Sequence, residues 1–362
     1  MPATLKELLK TIVESKASDL HINANLPPQM RIDGTLISIG DAALTSEQAQ
    51  ALCYECLNQE QVMRFEAERA IDLSFGIEGL SRFRANIFWA LDSVCGAFRA
   101  LPYTIPQPKE LGLPESMVKI TNRHKGFVLV TGQTGSGKST TLAALIDQIN
   151  ALRHEHIVTI EDPIEFLYTQ RKSLINQREV GRDTLSFQRA LKHILRQDPD
   201  VVHVGEMRDL ETIQAAITVA ETGHLVFATL HTNSAVETID RIIDIFPPHQ
   251  QNQVRTQLSA ILEGVFCQQL LPKIGGGRTL ALEILLPTSG IRNLIREGKT
   301  HQIFAAMQMG QQHTDMVTMD QSLAKLAREG IVEVEEARRR SRTPDDFDGL
   351  LRGQPPRPLA QS

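Results

Sequence analysis

The first hundred residues alternate between helical and extended patterns of apolar positions. Near the start, apolar side chains recur at the spacing of one helix face, at Leu5, Leu8, Leu9, Ile12 and Val13. Two short strand-like stretches follow, over residues 20–22 and 29–32. We therefore predict a small α+β domain over residues 1–100.

The stretch 101–118 is marked by four prolines, Pro102, Pro106, Pro108 and Pro114. Because proline lacks a backbone N–H and has a fixed φ, such a stretch suits neither a helix interior nor a sheet. The pattern predicts a semi-rigid linker between two domains.

A βαβ rhythm begins at residue 119. The predicted strands cover 127–131, 157–160, 200–204 and 225–230, and the predicted helices cover 138–151, 186–197, 209–221 and 234–244. Such alternation indicates an α/β domain with a parallel sheet covered on both faces, whose ligands bind at the carboxyl ends of the strands. We place this domain at 119–342, mostly helical from about residue 250, and predict a disordered tail over 343–362.

Composition narrows the classes of function. In 362 residues, 38 Lys and Arg against 43 Asp and Glu give a net charge of −5, which argues against generic nucleic-acid binding. No apolar run reaches about 18 residues, and the N-terminus lacks a charged-then-apolar signal region. The 4 cysteines fit a reducing compartment, and the Cys53–Cys56 pair fits ordinary packing better than a metal site. We therefore expect a cytoplasmic protein that contacts membranes only through partners.

One segment carries the strongest chemical signal, because it fits the G-x-x-x-x-G-K-[ST] phosphate-binding pattern at every fixed position. Its residues are Gly132, Gln133, Thr134, Gly135, Ser136, Gly137, Lys138, Ser139 and Thr140. A predicted strand precedes it and a predicted helix follows it, as the motif requires. We expect the loop amides and Lys138 to bind the phosphates of ATP and the Ser139 hydroxyl to bind Mg²⁺.

Acidic residues follow two other predicted strands. Glu161, Asp162 and Glu165 come after one strand, where they could hold Mg²⁺, also through water, or orient water; a capped turn is the structural alternative. Glu206 follows the strand 200–204 in a Walker B arrangement, with Gly205 in place of the usual aspartate. This favours a water-polarising role for Glu206 over metal binding. His203, in mid-strand, is predicted to be structural.

Histidines flank the predicted strand 225–230. A straight strand separates His224 from His231 by roughly 23 Å, so the two cannot bind one metal ion. One of them could sense the γ-phosphate while the other is structural or lies at a subunit boundary; polar capping of the strand ends is the alternative.

Three arginines of the small domain complete the candidates. Arg82 and Arg84 share one face of a strand by the period of two, and Arg99 lies in the next strand-like segment. A surface role is the alternative for each, but ring-forming ATPases need an arginine from a neighbouring subunit to stabilise charge on the γ-phosphate.

These motifs together resemble the type II/IV secretion ATPase superfamily. The resemblance rests on 132–140, the acidic box 161–166, the segment 198–209 and the histidine box 221–233, and it extends from Ser18 to about residue 335. Within the superfamily, the chain is similar to the pilus retraction branch. It lacks a tetracysteine zinc element, and its residues 290–299 resemble that branch's C-terminal signature, with Gly290 and His203 as small departures.

The resemblance implies a PAS-like N-terminal domain joined to a RecA-like ATPase domain, assembled as a homohexamer. It implies a cytoplasmic motor at the inner-membrane base of the pilus machine, bound to a platform protein, that uses ATP and Mg²⁺. Glu206 would polarise the attacking water with Glu165 in support, and His231 and His224 would report the γ-phosphate or the interface. Arg82, Arg84 and Arg99 would supply positive charge.

Two alternatives stay open. One is an ATPase for pilus assembly or type II secretion, which would use the same chemistry in the opposite direction. The other is a nucleotide-gated scaffold subunit that binds ATP without hydrolysing it, although the two acidic boxes argue against this.

Overall fold

The computed structural model describes residues 4–32, 34–101, 104–309 and 314–353. They form two compact units. The first comprises Met1–Thr104 and Pro163–Leu167, and the second comprises Ile105–Asp162 and Tyr168–Ser362.

The first unit is an α+β fold. Its helices are α1 (Leu5–Glu14), α2 (Ser46–Tyr54) and α3 (Gln59–Glu68), and its strands are β1 (Asp19–Ile22), β2 (Gln29–Ile32), β3 (Thr35–Ser38), β4 (Ala70–Ile77), β5 (Ser81–Ala90) and β6 (Ser93–Leu101). The strands form one antiparallel sheet in the order β3-β2-β1-β6-β5-β4. A capping box of Thr4 and Glu7 starts α1, which buries the apolar face predicted from the sequence.

The second unit contains a larger sheet. Its strands are β7 (Gly126–Thr131), β8 (His156–Glu161), β9 (Leu174–Glu179), β10 (Val201–Val204), β11 (Leu225–Leu230), β12 (Leu262–Pro272) and β13 (Arg278–Leu285). They are ordered β13-β12-β7-β11-β10-β8-β9, and all neighbours are parallel except β12 and β13. Strands β7 and β11 are buried throughout, as expected for a sheet covered on both faces.

Helices surround this sheet and continue to the end of the described chain. They are α4 (Glu115–Val118), α5 (Lys138–Leu152), α6 (Phe187–Ile194), α7 (Leu210–Glu221), α8 (Ala235–Asp244), α9 (Pro248–Ile261), α10 (Ser289–Arg296), α11 (Ile303–Met309), α12 (Met319–Arg328), α13 (Val334–Arg340) and α14 (Pro344–Leu351). Two short 3-10 turns lie at Lys119–Asn122 and Thr300–Gln302. Apart from β9, the predicted order of strands and helices therefore holds from residue 126 to about residue 244.

Beyond residue 250 the prediction was incomplete. The chain forms α9 but then returns to the sheet as β12, beside β7, and as β13. A buried apolar run such as 262–272 has no period that separates helix from strand. Strand β9 was missed for a different reason, since LINQRE is a polar edge strand with few buried positions.

The predicted linker over 101–118 was also partly wrong. Residues 102 and 103 lie outside the described residues. The stretch that follows includes α4, and Leu113 and Met117 are buried in the core of the second unit. Burial of these apolar side chains attaches the segment to that unit, although its prolines keep most of it out of regular structure.

The tail prediction fails for its first part. Residues 344–351 form α14, with Pro344 at the first helical position and Phe347 fully buried. The buried Asp320 carboxylate accepts hydrogen bonds from the backbone N–H groups of Arg342 and Thr343 at 2.7 and 3.2 Å. Proline followed by two acids, as at Pro344, Asp345 and Asp346, is a signal for the start of a helix, and here it outweighs the polar composition that predicts disorder. Residues 354–362 lie outside the described residues.

His203 occupies the middle of β10 in the sheet core. Both of its ring nitrogens are buried, and neither has a hydrogen-bond partner in the described part of the chain. Burial without a compensating charge lowers the pKa of His203 to about 4 from an ordinary value of 6.5. The fold therefore keeps this side chain neutral.

The pH dependence of stability tests this. Because the folded pKa is depressed, the fold keeps its full stability above about pH 6.5 and loses it as the pH falls toward 4, by about 2 kcal/mol at pH 5. In His203→Val this loss should vanish. The drop in melting temperature from pH 8 to pH 5 should therefore be smaller in the variant than in wild type, by about 5 °C. Valine at the exposed His154 is the matched control. Equal pH responses in wild type and His203→Val would refute the assignment.

Candidate active site

The phosphate-binding segment forms the loop between β7 and α5. Gly132, Gly135 and Gly137 all have positive φ, at 137°, 81° and 91°. At position 132 a side chain is also excluded by space, because a Cβ there would lie 2.4 Å from the carbonyl oxygen of Gln268. Glycine is therefore required at the start of the loop.

The lysine of the motif folds over the loop. Lys138 Nζ donates hydrogen bonds to the carbonyl oxygens of Gly132 and Gln133, at 2.8 and 3.1 Å. Ser136 Oγ is buried without a hydrogen-bond partner in the described part of the chain, and Ser139 and Thr140 are half-buried on the first turn of α5. With the free N–H groups and positive dipole of the α5 N-terminus, this arrangement fits a bound phosphate chain.

Two of the predicted carboxylates meet at the same sheet edge. Strands β8 and β10 are parallel neighbours with Ile160 opposite Val204, so Glu161, the last residue of β8, and Glu206, two residues after β10, lie at the same edge of the sheet. Glu161 is buried and accepts a hydrogen bond from Thr159 Oγ1 at 2.6 Å, whereas Asp162 is exposed. A divalent cation that is held by Glu161 or Asp162 together with Ser139 would therefore have to lie at this edge of the sheet.

Gly205 departs from the common Asp-Glu ending for a steric reason. Its N–H donates to the Ile160 carbonyl at 2.8 Å. A Cβ at this position would lie 3.1 Å from the same oxygen and 3.2 Å from Glu161 Cα. The close approach of the two strand ends therefore disfavours a side chain before Glu206.

Glu206 is the centre of an ion-pair network. Arg208 donates to both carboxylate oxygens at 2.7 Å, and His231 Nε2 lies 3.0 Å from Oε1. Partial burial raises the pKa of Glu206, but the hydrogen bond from Arg208 and the electrostatic influence of His231, Arg208 and Lys138 outweigh it, so the pKa lies below its usual range. Glu206 is thus an ionised acceptor whose charge is felt by the lysine of the phosphate loop.

The two histidines are separated by the length of β11. His231 follows the carboxyl end of this strand and joins Glu206, whereas His224 precedes its amino end. His224 Nδ1 lies 3.0 Å from the Val219 carbonyl oxygen and 3.0 Å from Thr222 Oγ1. His231 therefore lies at the edge where the phosphate loop and Glu206 lie, whereas His224 lies at the opposite edge of the sheet.

The remaining predicted residues belong to the first unit. Arg82 and Arg84 lie on the same face of β5, opposite to the buried face, as predicted. Arg99 pairs with Arg84 across β5 and β6 and forms an ion pair with Asp19 at 2.9 Å. Arg82 donates to Ser74 Oγ at 2.7 Å. Glu165 lies in Pro163–Leu167, which groups with this unit.

Sequence reasoning missed two residues of the site. Arg208 carried a usable signal, since two residues after Glu206 it is the nearest cation to the predicted water-polarising carboxylate. Gln268 carried none, because it reaches the loop only through β12, a strand that the apolar pattern did not reveal.

Comparison with known proteins defines the family. Residues 108–276 match the family of Type II/IV secretion system proteins. Over 343 residues, 95% of this chain and 99% of the relative, the chain is 48% identical to the type IV pilus retraction ATPase PilT of Pseudomonas aeruginosa. The chain belongs to the PilT family. It is also 44% identical to a twitching motility protein of Neisseria gonorrhoeae, across 95% of this chain and 92% of that protein.

A solved structure supports the same conclusion about the fold. The crystal structure of the pilus retraction motor PilT with bound ADP matches with a TM-score of 0.91 and 49% identity, over 96% of this chain and 99% of that one. The PilT-family chain is thus a P-loop ATPase with the predicted fold, a two-domain RecA-like ATPase with a helical C-terminal region. Within the described residues, no helix is long and apolar enough to cross a membrane.

The pH profile of ATP turnover tests the network around Glu206. Because Arg208 helps to lower the pKa of Glu206, Arg208→Gln should raise it, and the acid limb of the kcat profile should move to higher pH. The exposed Arg196, substituted by Gln, controls for loss of a surface charge in the same unit. An unmoved acid limb in Arg208→Gln would show that Glu206 does not control turnover in this pH range.

Proposed function

We propose that this chain is the hexameric ATP-hydrolysing motor that drives type IV pilus retraction and twitching motility. The observation that carries the proposal is that the phosphate loop, the ionised Glu206 and its partner His231 all lie at one edge of the sheet. The chain is 48% identical to the PilT of Pseudomonas aeruginosa over nearly the full length of both proteins, which supports retraction of the pilus rather than its assembly.

In this proposal the loop amides and Lys138 hold the phosphates of ATP. Lys138 already spans the loop through two carbonyl oxygens, and it exchanges these for phosphate oxygens when substrate binds. Ser139 would hold Mg²⁺, with Glu161 and Asp162 acting through water. When bound, this ion would neutralise charge on the phosphates.

Glu206 orients the attacking water and accepts its proton, with Glu165 in support. For this, one oxygen of Glu206 must be released from Arg208, whose side chain is 72% exposed and can turn to water. His231 stays on Oε1 and links the state of Glu206 to the phosphate site.

Arginines of a neighbouring subunit supply the remaining positive charge. Arg99 is engaged by Asp19 and Arg82 by Ser74, whereas Arg84 is exposed and makes no ion pair or side-chain hydrogen bond within the described chain. Arg84 is therefore the arginine that has no partner within the described part of its own subunit to give up when it binds a phosphate. His224, at the opposite sheet edge, would act only across a subunit boundary.

The retraction signature is presented by α10. Ile291 and Ile295 are buried, and Arg292 donates to the carbonyl oxygens of Ser259 and Ala260 at the end of α9, at 2.7 and 3.0 Å. This fixes the helix by its apolar face and one arginine. Its exposed side chains, Asn293, Arg296 and Glu297, are then available to the inner-membrane platform protein, through which this cytoplasmic motor contacts the membrane.

Deletion of the gene tests the direction of the work. Without a retraction motor, cells of the source organism should stay piliated but lose twitching motility. Restoring the wild-type gene should restore movement, whereas a Lys138→Ala gene should not. Bald cells after deletion would show that the protein assembles pili or secretes instead, and normal motility restored by Lys138→Ala would indicate a scaffold.

A further inference from the structure

Strand β12 forms one wall of the phosphate loop. It runs parallel to β7 with Cys267 opposite Thr131, so the next residue, Gln268, lies beside Gly132, where the loop begins. Gln268 is only 1% exposed. None of the predicted roles uses this buried polar side chain.

The backbone of Gln268 limits where the loop can begin. Its carbonyl oxygen occupies space within 2.4 Å of a Cβ built at Gly132, so the first residue of the loop packs directly on β12. Two residues further along, Leu270 Cδ1 lies 3.5 Å from a Cβ built at Gly137, the last glycine of the loop. Both ends of the glycine-rich segment therefore rest on the same strand.

The side chain of Gln268 makes the connection to the helix. Its Nε2 donates a 2.7 Å hydrogen bond to Thr141 Oγ1, and both residues are buried. Thr141 lies one helical turn after Gly137, three residues beyond Lys138, and its N–H donates to the Gly137 carbonyl oxygen at 3.0 Å, so it closes the first turn of α5. Through its carbonyl and its amide, Gln268 contacts the strand side and the helix side of the loop.

We propose that Gln268 is a positioning residue for ATP binding, which holds the phosphate loop open by bridging Gly132 and Thr141. It does not touch the nucleotide. It fixes the distance between the end of β7 and the start of α5, and this distance sets the direction of the loop N–H groups. The proposal rests on the ATPase activity of the family and is independent of the direction of pilus movement.

Removal of the amide without loss of volume tests the proposal. Gln268→Met should raise the KM for ATP, and the Kd for a non-hydrolysable ATP analogue with Mg²⁺, by about tenfold, as expected when one buried hydrogen bond is lost. The kcat at saturating ATP should stay within about twofold of wild type, since Glu206 and its partners are untouched. Gln269→Met, one residue along the strand and half-buried, is the matched control and should bind ATP like wild type.

A double-mutant cycle with Thr141→Val separates positioning from general stability. If the two residues act through one hydrogen bond, each single variant and the double variant should have the same raised KM. This cycle also protects the test, because Thr141→Val carries it alone if Gln268→Met does not fold. Three results would overturn the proposal. The effects of the two substitutions on KM could multiply in the double variant, kcat could fall while KM stays unchanged, or Gln268→Met and Gln269→Met could have equal KM values. A wild-type protein without ATPase activity would instead count against the proposed function.

Discussion

Parallel pairing of β8, β10, β11 and β7 is the constraint on which the site depends. In a parallel sheet all strands end at one edge, so residues far apart in sequence are placed together without any direct bond between them. The phosphate loop follows β7, His231 follows β11, Glu206 follows β10, and Glu161 is the last residue of β8. The close contact of Gly205 with the end of β8 shows how tightly that edge is packed.

Two cations lie at this edge, and each is held by a different acceptor. Lys138 is turned onto the carbonyl oxygens of its own loop, and Arg208 covers both oxygens of Glu206. The oxygens of a bound phosphate could compete with these acceptors for either cation. The Arg208 side chain is 72% exposed, so water is at hand to replace Glu206 as its partner. His231, bound to the same carboxylate, remains as the contact that couples Glu206 to the end of β11.

The sequence was most informative where function restricts residue types. The glycines and the lysine at 132–138 and the acid after residue 204 could be recognised because phosphate binding and hydrolysis restrict the residue types at such positions. The buried strands between them could be recognised from their apolar runs. It was least informative where partners are distant in sequence. Strand β12 lies 130 or more residues beyond β7 in sequence, and neither its apolar run nor Gln268 announces that pairing. His224 and His231 look equivalent along the chain, and only the direction of β11 shows that they lie at opposite edges. In α14, Phe347 was not predicted to be buried because the surrounding residues are mostly polar.

The central claim is that Glu206 activates water for an ATP site built by the loop at 132–140, and Glu206→Gln tests it most directly. An amide at this position keeps the size and shape of the side chain, but it can accept from Arg208 at one oxygen only and does not accept a proton from water. Affinity for ATP and steady-state phosphate release should be measured on the same purified preparation. If Glu206 accepts the proton of the attacking water, Glu206→Gln should bind ATP about as tightly as wild type, and its turnover should be lower by about 10²–10⁴-fold. Turnover equal to that of wild type would contradict it.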